Sequence, residues 1–223
     1  MGFFDKLKKN IEYNIKSSVR GTVARQQQQV KHQVKTGLKS SVKQFALNMK
    51  KQVMNTTSVG DYNSFKKRWE TDGKNHVQTI FLYLLAALEY TTGNQQVGEA
   101  MATLVLPKPR LLVSKSSPSG YITNPKGEGY LLNHMKENPR VVPSYIGGSP
   151  DDNYQIDPNN LQMTVLEEGV SGREAVVVIQ SAGKDFPTPC GLRMNNAGYW
   201  KIFKGTGSIA TGAQVTEEEK WDF

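Results

Sequence analysis

The chain has 223 residues, a hydrophobic fraction of 37% and a formal net charge of +8. This length suits one domain with an extension, or two small domains, and the single cysteine, Cys190, excludes an intrachain disulfide. The longest apolar run, Ile80–Leu88, is about half of a membrane span. Charged residues close to the first methionine exclude a signal peptide. These features predict a cytoplasmic protein.

The first part of the chain, residues 1–55, is strongly basic. It holds twelve Lys or Arg against two acids, whereas the remaining residues hold sixteen Lys or Arg against eighteen acids. The whole positive surplus therefore lies in this segment. A one-sided basic arm of this kind predicts an anionic partner.

Apolar side chains in the arm recur at steps of three or four residues. Pairs eleven residues apart, such as Phe4 with Ile15 and Val19 with Val30, give a spacing close to that of a straight α-helix. The sequence therefore predicts a long amphipathic helix over residues 1–55, with a bend or break expected at Gly21, Gly37 or Gln26–Gln29. A thin apolar stripe flanked by lysines suits the surface of an anionic membrane. The predicted contact residues are Phe3, Phe4, Leu7, Lys8, Lys9, Ile11, Ile15 and Lys16.

Two other partners of the arm stay open. The stripe could pack on a partner helix or on itself, which predicts a homo-oligomer and an assembly role. Nucleic acid is the least favoured partner, because the arm has two arginines and no alternation of aromatic and basic residues. The membrane interpretation places a cytoplasmic protein peripherally on the inner membrane face.

A helical layer is predicted after the arm. The turn-rich stretch Asn55–Asp61 opens a domain at residues 56–212, and helical spacing of apolar residues follows it. Pro107 and Pro109 end the third helix. The predicted helices are Tyr62–Glu70, Val77–Leu88, about Gln95–Leu104, and one near Lys126–Lys136 with Asn124 as its cap.

From residue 161 onward the apolar period drops to two, which predicts strands. Short turns separate the strands, so the sheet is an antiparallel meander, and the fold class is α+β with a long N-terminal amphipathic helix, a helical layer and four strands. An acidic and aromatic tail at residues 213–223 follows. The predicted strands are Leu161–Glu167, Glu174–Ser181, Cys190–Asn196 and Gly198–Lys204.

The segment Pro143–Tyr154, PSYIGGSPDDNY, lies between the helices and the strands, and a Trp-containing strand follows within Phe186–Gly212. This order resembles an uncharacterised bacterial domain family of unknown function over Tyr62–Gly212. The resemblance implies no activity. The closing strand pair also resembles the last hairpin of nuclear-transport-factor-like cones.

The titratable residues do not fall into a catalytic or metal-binding pattern. The three histidines are far apart in sequence, and Cys190 is expected to be a small buried thiol. The glycines in GTGSIATG, from Gly205 to Gly212, predict a turn and not a phosphate loop. We therefore predict a protein that is not an enzyme, with no metal and no cofactor. An enzyme with a site at the mouth of the sheet, near Pro143–Tyr154, is the less favoured alternative.

Acidic residues after Pro150 alternate as at the start of a calcium loop. Ile156 and Gln162, however, occupy the positions that need glycine and a bidentate glutamate. Asp151 and Asp152 are instead predicted to cap a turn.

A groove on the domain is weighed against packing of the same residues at the edge of the core and on the surface, and the packing interpretation is favoured. No small-molecule substrate is identified. The predicted function is therefore a binding or adaptor protein that associates with a membrane through its arm. The candidate groove residues are Arg140, Tyr145, Tyr154 and Trp200.

Overall fold

The computed structural model describes residues 52–213, and residues 1–51 and 214–223 lie outside the described residues. Within this part, helices cover a five-stranded antiparallel sheet of order β1-β4-β5-β6-β7, and a two-stranded sheet pairs β2 with β3. The predicted α+β class is confirmed. The helices are α1 Tyr62–Asp72, α2 His76–Thr92, α3 Gln95–Val105, α4 Glu128–Glu137 and α5 Thr206–Ile209; the strands are β1 Gln52–Thr56, β2 Leu111–Val113, β3 Tyr121–Thr123, β4 Leu161–Ser171, β5 Glu174–Gln180, β6 Thr188–Met194 and β7 Trp200–Lys204.

Helix α2 forms the centre of the core. Twelve of its seventeen residues are buried, so it is apolar on nearly every side, as expected for a helix enclosed by other elements. The side chain of Asn75 caps it by accepting hydrogen bonds from the backbone N–H groups of Val77 and Gln78. No helix within residues 52–213 combines the length and the apolarity needed to cross a bilayer.

Helix α3 packs closely against α2 at Gly98. A methyl group at this position would lie 2.2 Å from the backbone nitrogen of Tyr90 and 2.8 Å from the carbonyl oxygen of Ala86. Only a residue without a side chain permits this approach of the two helices. Asn94 caps α3 through a 3.2 Å hydrogen bond from the backbone N–H of Val97.

Helix α4 begins later than predicted. Gly127 occupies its N-cap position, and Asn124 instead caps the preceding turn by accepting a hydrogen bond from the backbone N–H of Lys126. The Gly127 N–H bonds the Asn124 carbonyl at 2.9 Å, so the residues around Pro125 close a turn before the helix starts. The predicted capping role of Asn124 for this helix was therefore wrong.

A buried ion pair joins the first turn of α4 to the segment after α3. Glu128 is 4% exposed, its carboxylate pairs with Arg110, and Thr206 donates a 2.9 Å hydrogen bond to the same carboxylate oxygen. The position of Glu128 at a helix N-terminus also favours its negative charge. Burial, together with the Glu128 carboxylate, raises the pKa of the Tyr83 phenol well above its ordinary value.

All four predicted strands are present as β4–β7, but the sheet has a fifth strand that the sequence did not predict. Residues Gln52–Thr56, expected at the end of the helical arm and the start of a turn, pair with β4 as strand β1. Val53 and Met54 fit a strand as well as a helix, and Met54 lies opposite Met163 and packs on the core. The end of the predicted helix at residue 55 was therefore wrong, and residues 1–51 lie outside the described residues.

Helix α1 fixes the end of β1. The Arg68 guanidinium donates to the Thr57 carbonyl at 3.0 Å, contacts the Thr56 hydroxyl and pairs with Asp72 at 2.9 Å. One side chain thus ties the strand to the helical layer.

The two edge strands of the sheet, β7 and β1, differ in how their outward backbone groups are bonded. On the outer side of β7, the backbone N–H of Trp200 donates to the Gly73 carbonyl at 2.8 Å, and the Arg110 guanidinium donates to the Phe203 carbonyl. These contacts occupy backbone groups that another strand would need. On the outer side of β1, nothing within residues 52–213 pairs with the strand.

Candidate functional site

A pocket of about 340 Å³ lies at the C-terminal end of α4. Three segments of the chain that are distant in sequence form its wall: the end of α4 with the residues after it, the loop between β5 and β6, and the residues that follow α5. Its volume falls at the small end of the range typical of ligand sites. The lining residues are His134, Asn138, Val141, Lys184, Phe186, Ala210, Thr211 and Ala213.

The end of α4 positions the first side of the pocket. The backbone N–H of Asn138 donates to the His134 carbonyl at 3.1 Å, and its side-chain amide donates to the same carbonyl at 2.8 Å. These bonds close the last turn of the helix, and Pro139 follows where the helix cannot continue. His134 itself stacks on Tyr130 one turn earlier, with ring centroids 6.3 Å apart.

A buried hydroxyl network connects the segments that form the pocket. The Ser181 hydroxyl lies 2.8 Å from that of Ser144 and also contacts the Gly212 carbonyl. Ser144 is in turn bonded to the Val141 carbonyl at 2.6 Å. These bonds hold the end of β5 and the residues after α5 against the segment after α4, so the wall of the pocket has a fixed base.

Lys184 supplies the positive charge of the pocket. Its ammonium donates a 2.9 Å hydrogen bond to the Ser208 carbonyl, and none of the ion pairs within residues 52–213 includes it. Burial lowers the pKa of Lys184, because the charged form loses hydration there. A carboxylate entering the pocket would counteract this loss.

Phe186 adds an apolar surface beside that charge. Its side chain is 58% exposed, one of the largest exposures of an apolar residue in the described part of the chain. With Val141 and Ala210 it gives the pocket an apolar lining in addition to Lys184. This combination suits a ligand that carries a carboxylate next to an apolar or aromatic group.

A family model described as a domain of unknown function, DUF6935, matches residues 58–216. The chain belongs to the DUF6935 family. The match covers all the elements from α1 to α5 and every lining residue of the pocket. It confirms the predicted membership of an uncharacterised family, at nearly the predicted bounds. No curated protein and no solved structure matches the chain.

The predicted groove residues do not come together within this DUF6935 domain. Tyr145 is bonded to Thr188, the first residue of β6, at 2.7 Å, whereas Trp200 pairs with Met194, the last residue of that strand. A strand of this length separates its ends by about 20 Å. Arg140 lies over the Tyr154 ring, 5.8 Å from the centroid.

Both Tyr145 and Trp200 are core residues, exposed by 1% and 3%. Burial raises the pKa of Tyr145, and the Trp200 indole donates to the Lys74 carbonyl at 3.1 Å. The prediction of one groove lined by all four residues was therefore wrong, because two of them fill the interior at opposite ends of a strand.

The predicted membrane contacts, from Phe3 to Lys16, lie outside the described residues. Cys190 is fully buried, and burial raises its pKa to about 12. The thiol is therefore protonated at neutral pH, as expected for a structural cysteine.

The acidic turn and the glycine-rich segment have structural roles. Asp152 accepts a 2.8 Å hydrogen bond from the Ser149 N–H and caps the turn, as predicted for this aspartate. Within residues 52–213, three or more potential ligands do not cluster in a metal-binding arrangement. The segment after Gly205, predicted as a turn, forms the short helix α5, and Gly205 adopts a φ of 105° that favours glycine.

Sequence reasoning missed the pocket. Lys184 and Phe186 fall between the predicted strands Glu174–Ser181 and Cys190–Asn196, and the sequence predicts no role for His134. The available signal was local: an exposed phenylalanine between an acid and a proline in a short loop. That signal does not show which distant segments face the loop.

Proposed function

We propose that the protein is a binding or adaptor protein, and not an enzyme, whose basic arm associates with an anionic membrane surface. The observation that carries the proposal is the distribution of charge. Residues 1–55 hold twelve Lys or Arg against two acids, whereas residues 52–213 hold fifteen against fourteen. The domain is thus nearly neutral, and the attraction to an anionic surface would come from the arm.

The spacing of apolar residues in the arm supports a membrane surface as the partner. Each basic residue near an anionic bilayer contributes about 1 kcal/mol, and burial of a phenylalanine contributes about 1.5–3 kcal/mol at most. Phe3 and Phe4, followed by Leu7 and Ile11, form the densest apolar group of the arm. We expect this group to insert and the lysines to lie at the headgroups, with the protein peripheral on the inner face of a membrane.

Strand β1 would transmit this attachment to the domain. The arm leads directly into Gln52, and β1 is held to β4 along five residues and to α1 by Arg68. An arm bound to lipid would therefore keep the domain at the same surface.

Vesicle flotation of the full chain tests the proposal. With anionic vesicles at about 0.1 M salt, binding is expected, and Phe3→Ser with Phe4→Ser should weaken it at both low and high salt. The matched variant, Lys8→Gln with Lys9→Gln, should weaken it mainly at low salt, because salt screens charge but not apolar burial. A phenylalanine pair that has no effect on vesicle binding would reject the membrane proposal.

The same variants distinguish nucleic acid as the partner. If the arm bound duplex DNA, the lysine pair would dominate the affinity and the phenylalanine pair would have little effect. Parallel titrations of both variants with duplex DNA over a salt series give this comparison.

A second candidate function is assembly through the arm, favoured by its regular apolar stripe. The stripe would then pack on itself or on a partner helix, and the protein would form a homo-oligomer without lipid. Light scattering over the accessible concentration range tests this directly. A full chain that stays monomeric throughout would exclude self-assembly.

The non-enzymatic part of the proposal rests on the chemistry of the described residues. Cys190, the single thiol, is buried with a pKa of about 12, which leaves it unsuited to act as a nucleophile at neutral pH. His76 is bonded to Glu168 at 2.7 Å and packs on Trp200, which is a tertiary contact between α2 and the sheet.

A further inference from the structure

We propose that the pocket at the end of α4 is the docking site for an acidic and aromatic segment of the same chain, residues 214–223. The inference concerns the domain and its own tail, and it does not depend on the arm binding a membrane. Three features of the molecule support it: the position at which the segment leaves the domain, its charge and its apolar residues.

The segment begins at the pocket itself. Ala213 is a lining residue, and the tail continues from it as Gln-Val-Thr followed by three glutamates. An extended chain advances about 3.3 Å per residue, so Glu217–Glu219 reach no farther than about 20 Å from Ala213. A reversal over a few residues is enough to bring them back over the pocket, at little cost in loop entropy.

The charges of tail and pocket are complementary. Residues 214–223 hold four acids and one lysine, while Lys184 lines the pocket. The Lys184 ammonium is partly dehydrated and has no carboxylate partner within residues 52–213. A glutamate of the tail would supply that counter-ion in surroundings where screening by solvent is reduced.

The apolar side of the pocket matches the rest of the tail. Trp221 and Phe223 follow the glutamates, and Phe186 exposes more than half of its surface at the rim. Aromatic rings favour stacked or edge-to-face contact with one another, which adds to the area that they bury. The composition of the segment, acidic and aromatic, fits a pocket lined by a lysine and by apolar residues.

The short connection makes the chain's own segment the favoured occupant. A short connection gives an effective concentration in the millimolar range, so individually weak contacts are sufficient to fill the pocket. A free peptide of the same chemistry would have to reach a similar concentration to displace it.

Photo-crosslinking in the full chain tests the proposal. Phe186→p-benzoylphenylalanine places a photoreactive ring at the rim, and the exposure of Phe186 makes the change compatible with folding. After irradiation without lipid, mass spectrometry of the monomer band is expected to find the crosslink within residues 214–223. A crosslink to residues 1–51, a crosslink found only in covalent dimers, or no crosslink at all would overturn the proposal.

A charge-reversal variant examines the ion pair. In the crosslinking background, Lys184→Glu should reduce the tail crosslink by about fivefold, near the upper limit for one partly exposed ion pair. The matched control is Lys115→Glu, which reverses an exposed lysine in the loop between β2 and β3. Exchange of Glu217, Glu218 and Glu219 for lysine in the Lys184→Glu chain should restore the crosslink. Equal loss with both lysine variants, or no restoration, would contradict the role of Lys184.

Discussion

Arg110 and Glu128 form an ion pair whose two members are unequally exposed, 35% for the arginine side chain and 4% for the glutamate. Removal of the arginine leaves a buried carboxylate without its counter-ion, which is costly. We expect Arg110→Ala to lower the free energy of unfolding by about 3 kcal/mol. Urea-induced unfolding followed by circular dichroism measures this change.

An arginine–carboxylate pair within the five-stranded sheet provides the control. Arg193 pairs with Glu174 at 2.8 Å, but the arginine side chain is 62% exposed, so Arg193→Ala should cost less than about 1 kcal/mol. Addition of Glu128→Gln to Arg110→Ala should recover part of the loss, because it removes the unpaired charge. If Arg110→Ala and Arg193→Ala lowered the free energy of unfolding by similar amounts, the burial of Glu128 would not be the cause of the larger expected loss.

The close contact between α2 and α3 predicts the effect of a single methyl group. Gly98→Ala would place its Cβ 2.2 Å from a backbone atom of Tyr90, and backbone cannot rotate away as a flexible side chain can. The variant should lose about 1–3 kcal/mol of unfolding free energy, although alanine favours helix more than glycine does. Thermal and urea unfolding both report the loss.

Gly207 in α5 provides the matched control for Gly98. An added Cβ there meets nothing within 4 Å, so Gly207→Ala should leave the free energy of unfolding unchanged or raise it by up to about 1 kcal/mol. If Gly98→Ala is as well tolerated as Gly207→Ala, the two helices do not approach as closely as described.

Cys190 should report global unfolding. With a pKa of about 12, only about one thiol in ten thousand is ionised at pH 8, and the side chain is fully buried. We expect no reaction of the native chain with a disulfide reagent on the time scale of minutes, and prompt reaction in urea. Phe186→Cys gives an exposed thiol as the control, which should react at once in the native chain. Prompt modification of both thiols in native protein would show that the β6 region opens locally.

The lowered pKa of Lys201 predicts that the free energy of unfolding depends on pH in the alkaline range. Burial lowers its pKa to about 8, with a smaller contribution from Lys108, and its ammonium lies 4.9 Å from the Trp69 ring centroid and donates to the Leu104 carbonyl. In the unfolded chain the lysine keeps its proton to about pH 10.4. Between these values the unfolded state binds more protons than the folded state, so the free energy of unfolding should rise with pH.

The comparison of wild type with Lys201→Met isolates this contribution. The wild-type chain should gain up to about 3 kcal/mol relative to the variant between about pH 7 and pH 10. The buried tyrosines titrate in both chains, so their effects cancel in the difference. If the difference in unfolding free energy between wild type and Lys201→Met did not change with pH, Lys201 would titrate as an ordinary exposed lysine.

The parts of the fold that could be predicted are those with a strong local pattern. The apolar face from Val77 to Leu88 identified α2, and the period of two after residue 161 identified β4–β7. Strand β1 could not be identified in this way, because its five residues carry no alternation of their own and depend on a partner that lies more than a hundred residues farther along the chain. Its strand character is set by Met163 and its neighbours, which are absent from the local sequence.

The pocket was beyond prediction for a related reason. It exists because a hydroxyl network brings the residues after α5 to the segment after α4, and each of these stretches has an irregular sequence. The groove is the converse case, because there the sequence suggested a site that the structure does not contain. Tyr145 and Trp200 have the chemistry of binding residues, but in this chain large aromatic rings are needed to fill the two ends of the core.

The unequal edges of the sheet determine how it could extend between molecules. The side of β7 is blocked by Gly73 and Arg110, while within residues 52–213 the side of β1 has no neighbour. A sheet with one open edge can join an identical sheet only through that edge, related by a twofold axis, and the joined pair then offers no site for a third copy. Growth of strands into a fibre would need a second open edge. Association of two described sheets through the β1 edge would therefore give a dimer.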